Sequence, residues 1–289
     1  MKISVSINTY NEEKNLKNCL ESVKWADEIV VVDMYSTDKT IEIAKEYTDK
    51  IFYYENLGYA DPARQFARDQ TSNEWILIVD ADEIVPKKLR DRLIEIMEDN
   101  LGDVIYIPHN NYFAGKQINR MGWGALDDLH PRFFKKEFLN FGDQIHEFFK
   151  IDDNARIYKI DDPEEGFIHF SYINFEHYIE KSLNGYTSIE ARNIFEGKKE
   201  KIQLGSNFLT IWFKLFREFM IHYILAKGYK DGFRGFSISF LSVMYRMVTY
   251  LKVRLMEEYD SEDTRKEIIE EYQNIADKVI SEYQSKKKL

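Results

Sequence analysis

The feature that most constrains this chain is the alternation of strand-like and helix-like segments along its first hundred residues. Ile3–Ile7, Glu28–Val32, Ile51–Tyr54 and Trp75–Val79 are short runs rich in β-branched and aromatic residues. Between them, Glu12–Val23, the stretch from about Lys39 to Tyr47, and Asp61–Gln70 read as helices. Ser36-Thr37-Asp38 supplies N-cap chemistry, and Pro86 suits the first turn of a further helix over Lys87–Met97. Two parallel strands need a long crossover, usually a helix, so this order predicts an α/β fold: a Rossmann-like, mostly parallel sheet flanked by helices. In such sheets ligands bind in the crevice beyond the carboxyl ends of the strands.

From Asp103 to Phe170 the pattern breaks up. Val104–Ile107, Arg132–Phe134 and Ile157–Ile160 read as strands among long polar loops, and long loops inside a compact domain tend to carry function. After Asn174 the chain reads as helix almost to its end, with no internal repeat. The expected organisation is a catalytic domain over residues 1–173, with a first half over 1–100 and a second over 101–173. A helical extension over 174–289 follows.

The overall charge of −10 argues against nucleic acid as a partner. That charge is unevenly spread. Lys201 to Leu255 holds nine basic and two acidic residues, a local +7 that leaves −17 for the remainder. Cys19 is the single cysteine, which excludes an internal disulfide and predicts a reducing compartment. Its spacing with Leu16, Leu20 and Val23 places it on a buried helix face. The sequence opens directly on a strand with no secretory leader pattern, so a cytoplasmic protein is expected.

The sharpest chemical feature is Asp80-Ala81-Asp82, directly after the apolar run Trp75–Val79. Two carboxylates at the open end of a buried strand can share a hard cation with a polar ligand, and Mg²⁺ or Mn²⁺ suits oxygen donors. In an Asp-rich chain such a pair also arises by chance or as a cap. Asp33 ends the second strand, and Thr9, Tyr10, Asn11 and Glu12 follow the first, so three strand ends bring polar groups to one rim. Taken singly, these residues also read as strand ends and caps. Arg64 lies near a helix start, where it pairs with phosphate or carboxylate, although taken alone a solvated surface arginine is the simpler reading. His146-Glu147 lacks the second histidine of a zincin, since position 150 is Lys; Glu147 in its aromatic setting is a candidate general base. His169 reads as a core histidine or a ligand. Tyr112 and Trp123 are candidates for stacking on a sugar or base, and Arg132 joins Trp123 as a candidate acceptor contact. No G-x-G-x-x-G, Walker A or G-x-S-x-G pattern is present, which disfavours dehydrogenases, P-loop ATPases and α/β-hydrolases.

Three ordered motifs carry a family resemblance. Val5-Ser6-Ile7-Asn8-Thr9-Tyr10-Asn11-Glu12 comes first, then Trp25 to Asp33 with Ser36-Thr37-Asp38, then Asp80-Ala81-Asp82-Glu83. Together they resemble the family 2 glycosyltransferases, and more narrowly the lipopolysaccharide core biosynthesis β-glucosyltransferase branch. Through His146-Glu147, His169 and Lys227–Gly235 the likeness extends over most of the chain. It implies a GT-A fold and an inverting transfer from a nucleotide-diphosphate sugar, usually a UDP-sugar, to an acceptor hydroxyl. By position, Thr9, Tyr10, Glu12 and Asp33 would hold the nucleoside, with Arg64 near the base or diphosphate. Asp80 would hold the ribose or a metal-bound water, Asp82 would ligate Mg²⁺ or Mn²⁺, Glu147 would be the base, and His169 a further metal or diphosphate ligand. Met34-Tyr35 before Ser-Thr-Asp and Gln65 after Arg64 depart from the family pattern and bear on donor preference.

Residues 206–227 and 233–255 are apolar, aromatic and basic, but charges interrupt every stretch long enough to span a bilayer. Such helices suit a peripheral position on an anionic membrane, consistent with a glycolipid or lipid-linked glycan acceptor. Packing on the catalytic domain, or between two copies of the chain, is the competing reading. A sugar nucleotidyltransferase would use a similar sheet and metal, but carries a glycine-rich, arginine-containing loop where this chain has Asn8-Thr9-Tyr10-Asn11-Glu12-Glu13. A non-catalytic carbohydrate- or membrane-binding module would have no need of the Asp80/Asp82 pair.

Overall fold

A computed structural model describes residues 2–56, 61–141, 149–205 and 207–285. The strands are β1 (Ile3–Thr9), β2 (Glu28–Asp33), β3 (Ile51–Tyr53), β4 (Trp75–Asp80), β5 (Glu83–Ile84) and β6 (Val104–Phe113). They continue as β7 (Lys116–Gln117), β8 (Leu129–Lys135), β9 (Leu139–Asn140), β10 (Lys150–Ile151), β11 (Ile157–Lys159) and β12 (Phe167–Tyr172). The helices are α1 (Leu16–Val23), α2 (Thr40–Ala44), α3 (Asp61–Gln70), α4 (Lys87–Glu98), α5 (Phe175–Tyr178), α6 (Thr187–Phe195), α7 (Phe208–Met220), α8 (Gly232–Tyr259) and α9 (Thr264–Ser285).

The main sheet runs β3-β2-β1-β4-β8-β6-β12-β5. Its first four strands are parallel, as the crossover helices require. Beyond β4 it becomes mixed: β8 is antiparallel to β4 and β6, β12 parallel to β6, and β5 antiparallel to β12. The α/β class and the helical C-terminal part therefore match the expectation.

The chain forms two compact units. The first comprises residues 1–178 with 219–240, the second 179–218 with 241–289. In the first, alternate strand residues face opposite ways, so each strand feeds two cores. Ile3, Val5 and Ile7 of β1 join Trp75, Leu77 and Val79 of β4 under α1 and α4, through Leu16, Cys19, Leu20, Leu89 and Leu93. On the opposite face Ile76 and Ile78 pack with Phe134, Leu139 and Phe141, while Val30 and Val32 pack with Ala67 of α3. In the second unit Ala191 and Ile194 of α6 pack on Val253 and Met256 of α8. There Lys252 Nζ donates to Thr187 Oγ1 and Ser188 Oγ, each at 2.7 Å. No helix among the described residues is long and apolar enough to cross a membrane.

Several boundaries moved. The helix expected from Glu12 starts at Leu16, because Glu12 to Asn15 form the turn that re-aims the chain after β1. β6 runs through Pro108 to Phe113, six residues past the expected end. A proline lacks the N–H that a ladder uses and reads as a strand terminator, yet here it sits within the strand. β12 lacks an apolar strand pattern, because polar His169 and Ser171 stand within its six residues.

Candidate functional site

The carboxyl ends of β1, β2 and β4 lie side by side, with Thr9 in register with Asp33 and Asn8 with Asp80. On the β1–β2 side the loops are tied together. Asn11 adopts φ 54°, a left-handed conformation that asparagine tolerates better than most residues. Its Oδ1 accepts the Thr37 N–H at 2.8 Å, its N–H donates to Ser36 Oγ at 2.8 Å, and the Glu12 N–H donates to Thr40 Oγ1 at 2.8 Å. The Glu12 carboxylate accepts from Asn15 Nδ2 at 2.8 Å. Asp33 is fully buried and accepts from the Ser36 N–H at 2.9 Å and its hydroxyl at 2.5 Å. Thr9 Oγ1 is buried without a hydrogen-bond partner, whereas the Tyr10 ring is exposed. Tyr35 stacks on Tyr53 with ring centroids 5.6 Å apart.

Next to this rim, two arginines hold Asp80. Arg64 Nη2 donates to both carboxylate oxygens at 2.9 and 2.8 Å, and Arg132 Nη2 donates to Oδ2 at 2.7 Å. Arg132 also reaches Glu83 Oε1 at 3.5 Å, and Glu83 Oε2 accepts the Asp80 N–H at 2.8 Å. Burial opposes ionisation of Asp80, but Arg132 and Arg64 outweigh it and hold the carboxyl well below the usual range. The same contest, with Arg132 the main counterweight, lowers Glu83. Arg132 is raised in turn: burial disfavours its charge, and Asp80 and Glu83 more than restore it. Arg64, which alone reads as a solvated arginine, is thus an ion-pair partner of Asp80, brought there by α3. Behind Asp80, Cys19 Sγ donates to its carbonyl at 3.5 Å. Burial, reinforced by Glu83, Asp82 and Asp80, pushes this thiol well up, which suits packing and not nucleophilic chemistry.

Asp82 lies on the turn between β4 and β5, mostly buried, with Oδ2 3.7 Å from His169 Nε2. Register brings them together: β5 pairs Glu83 with His169, and the Phe170 N–H donates to the Asp82 carbonyl at 3.0 Å. Burial opposes a charge on His169, yet the Asp82 carboxylate, helped by Glu83 and Asp80, raises its pKa above the ordinary value. A carboxylate oxygen and an imidazole nitrogen at this separation can both touch one small cation at about 2 Å. The two form a mixed oxygen and nitrogen donor pair that could hold a divalent cation, the carboxylate suiting Mg²⁺ or Mn²⁺.

A polar network on β6, β8 and β12 continues from there. His169 Nδ1 meets Asn111 Oδ1 at 2.7 Å, Asn111 Nδ2 donates to Asp128 Oδ2 at 2.7 Å, and Asp128 Oδ1 faces His130 Nε2 at 2.8 Å. Burial opposes ionisation of Asp128, but His130 and Asn111 bring its pKa down to about 2. His109 places Nδ1 3.1 Å from the Ile107 carbonyl and 3.2 Å from that of Asp128. Its Nε2 lies 3.2 Å from Glu83 Oε1 without hydrogen-bond geometry, and burial, partly offset by Glu83, lowers its pKa. His109, Asp128 and His130 offer ligand atoms within 4.8 Å of one another, although the Asp128 oxygens are already taken by His130 and Asn111.

The structure therefore assembles Arg64, Asp80 and Arg132 in one group and Asp82 with His169 in a second, beside Thr9, Tyr10, Glu12 and Asp33. Arg132 turns its guanidinium to Asp80 and Glu83. Trp123 is half-buried against Tyr172 and Phe113, with centroids at 6.0 and 6.4 Å. His146 and Glu147 lie outside the described residues. Sequence reasoning gave no role to Glu83, His109, Asn111, Asp128, His130 or Ser171. The available signal was polar residues two apart, His109 with Asn111 and His169 with Ser171, which share a face in a strand.

Residues 4–159 match the family model described as Glycosyl transferase family 2. An uncharacterized glycosyltransferase of Rickettsia felis is 30% identical over 275 residues, covering 88% of this chain and 89% of its own. The lipopolysaccharide core biosynthesis glycosyltransferase LpsC of Rhizobium meliloti is 39% identical over 100 residues, 33% of this chain and 37% of its own. Among solved structures, S. aureus TarS 1–349 in complex with UDP aligns over 86% of this chain and 90% of its own, at 20% identity and a TM-score of 0.47. The family model spans more than half of the chain and the rickettsial relative nearly all of it, so the chain belongs to glycosyl transferase family 2.

Proposed function

We propose that this glycosyltransferase takes its sugar from a nucleotide-diphosphate donor, a UDP-sugar, and passes it to an acceptor hydroxyl with inversion, using Mg²⁺ or Mn²⁺. The observation that carries this reading is the Asp82–His169 pair, 3.7 Å apart beside the arginine-held Asp80. Thr9, Tyr10, Glu12 and Asp33 hold the nucleoside in the β1–β2 rim, where Thr9 Oγ1 is still unpartnered. Arg64, held by its ion pair with Asp80, serves the base or diphosphate side of the donor, and Arg132 keeps the Asp80 and Glu83 carboxylates ionised and in place. Asp82 and His169 hold the divalent ion, which neutralises charge on the departing diphosphate when bound. Glu147 takes the proton from the acceptor hydroxyl as that oxygen attacks the anomeric carbon from the opposite face. Trp123 lines the acceptor side.

The acceptor in this reading is a lipid-linked glycan of the lipopolysaccharide-core type, reached by peripheral contact with an anionic membrane. In the first unit Leu225 and Phe233 are 72% and 64% exposed, near Lys227, Lys230 and Arg234 in sequence. In the second, Leu209 and Phe213 are 79% and 68% exposed on a helix that also carries Lys214 and Arg217. Sedimentation with anionic vesicles tests this contact, and absence of binding would remove it. For the reaction itself, nucleotide release and donor binding are measured on UDP-, GDP- and ADP-sugars, with and without Mn²⁺ or Mg²⁺. Metal-dependent release from a UDP-sugar, lost in Asp82→Ala, is the expected outcome. No metal-dependent donor binding to the wild-type protein would refute the reading.

A further inference from the structure

We infer that Asn111 is a positioning residue that fixes the tautomer of His169, keeping the Nε2 lone pair turned toward Asp82 and available to a divalent cation. The inference rests on the reading of Asp82 and His169 as that cation's ligands.

Asn111 lies on β6 in register with His169 on β12, and only 3% of it is exposed. Which end of its amide faces His169 follows from what lies at the other end. Asp128 Oδ2 is 2.7 Å from Asn111 Nδ2, and an ionised carboxylate only accepts hydrogen bonds, so the NH₂ end must point there. The Trp123 carbonyl, 3.2 Å from the same nitrogen, makes the same demand. Oδ1 therefore faces His169 Nδ1 at 2.7 Å; the Ser171 hydroxyl donates to that oxygen at 3.1 Å and lies farther from Nδ1, at 3.2 Å, so the amide oxygen is the nearer partner of the ring nitrogen. A carbonyl oxygen has no proton to give, so the proton of this contact belongs to Nδ1. In the neutral ring Nε2 is then left with its lone pair, 3.7 Å from Asp82 Oδ2.

A water or hydroxyl in place of this amide would accept from one tautomer and donate to the other, leaving the choice open. The amide, locked by Asp128, permits one. Asp128 is itself steadied by His130 Nε2 at 2.8 Å. The orientation is thus passed from His130 through Asp128 and Asn111 to His169, over the faces of three strands. Metal-binding histidines generally give their second ring N–H to such a partner, and losing the partner costs about 10–100-fold in metal affinity.

The test uses the full chain without nucleotide. Mn²⁺ binding is followed by the electron paramagnetic resonance of the free ion, and histidine ¹⁵N shifts report the tautomer at a pH where the ring is neutral. Wild-type His169 is expected to carry its proton on Nδ1. Asn111→Leu, which keeps the bulk and removes both polar ends, is expected to weaken Mn²⁺ about 10–100-fold and to give a tautomer mixture. Asn111→Leu binding Mn²⁺ like wild type, while His169→Ala loses it, would overturn the role of Asn111 and leave the ligand assignment standing. Unchanged affinity in His169→Ala would overturn the ligand assignment and the inference with it. Should Asn111→Leu fail to fold, the wild-type spectrum still decides: a proton on Nε2 refutes the proposal.

Discussion

On the β1–β2 side of the crevice, the bonds that tie one loop to the next run from side chain to backbone. Asn11, Ser36 and Thr40 each accept a main-chain N–H from the neighbouring loop, and Asp33 caps the turn that follows it. On the β5–β12 side, side chains bond to one another across strands: Arg132 to Asp80 and Glu83, His169 to Asn111, Asn111 to Asp128. The first arrangement sets the shape of a loop, and loses shape when a partner is removed. The second sets charge and proton position, and losing one partner strands a buried charge. Substitutions of similar size should therefore have unequal effects on the two sides.

The largest effect is expected at Asp82. Asp82→Ala should lower metal-stimulated nucleotide release by about 10²–10³-fold, as removal of a principal charge-stabilising group does. Titration of Mn²⁺ in the same variant would show whether binding falls with rate. Arg132→Met should destabilise the protein by about 3–5 kcal/mol in urea denaturation, because its side chain is only 11% exposed and Asp80 and Glu83 would lose their main counterion. Adding Asp80→Asn to that variant should recover part of the loss. Stability near that of wild type in Arg132→Met would break the distinction between the two sides.

The third prediction concerns the opposite end of the same strands. Glu28 accepts from Ser4, Lys50 and Ser72. Burial opposes its ionisation, but Lys50 and the serines lower its pKa from 4.5 to about 2. A depressed carboxyl pKa contributes stability that is present above the unfolded value and lost as pH falls through the folded one. Wild type should therefore lose on the order of 2 kcal/mol between about pH 5 and pH 2 through this group, a figure discounted because Lys50 is solvent-shared. Glu28→Gln should be weaker at neutral pH and flatter across that window in pH-dependent urea titrations. The smallest effect is expected on the β1–β2 loop. Asn11→Ala should cost about 1 kcal/mol, from the lost acceptor and the left-handed φ, and Asn11→Gly less. A cost at Asn11 as large as that at Arg132 would contradict the comparison.

The same contrast explains how much was legible in the residues. Thr9, Asn11, Asp33 and Asp82 stand at or just beyond strand ends, and a strand end can be found from one stretch of chain. The partners of Asp80 and His169 depend on register between strands far apart in sequence: β6 with β12, and β5 with β12. Pro108 hid the continuation of β6, and with it the alternation that puts His109 and Asn111 on one face. β12 was missed because a strand whose central residues serve a site has polar groups where strand patterns look for apolar ones. Arg64 needed α3 to swing it onto Asp80, which no local spacing announces.

Cys19 is the chain's single thiol, wholly buried, with its sulfur against the carbonyl of Asp80. Reagent can reach it only through an opening of the structure around α1 and β4, so alkylation of the native protein reports such openings with no engineered label. Its rate reads the tightness of the floor on which Asp80 rests. Donor binding that firms this floor would appear as slower labelling, which makes this packing residue a clock for occupancy of the crevice in front of it.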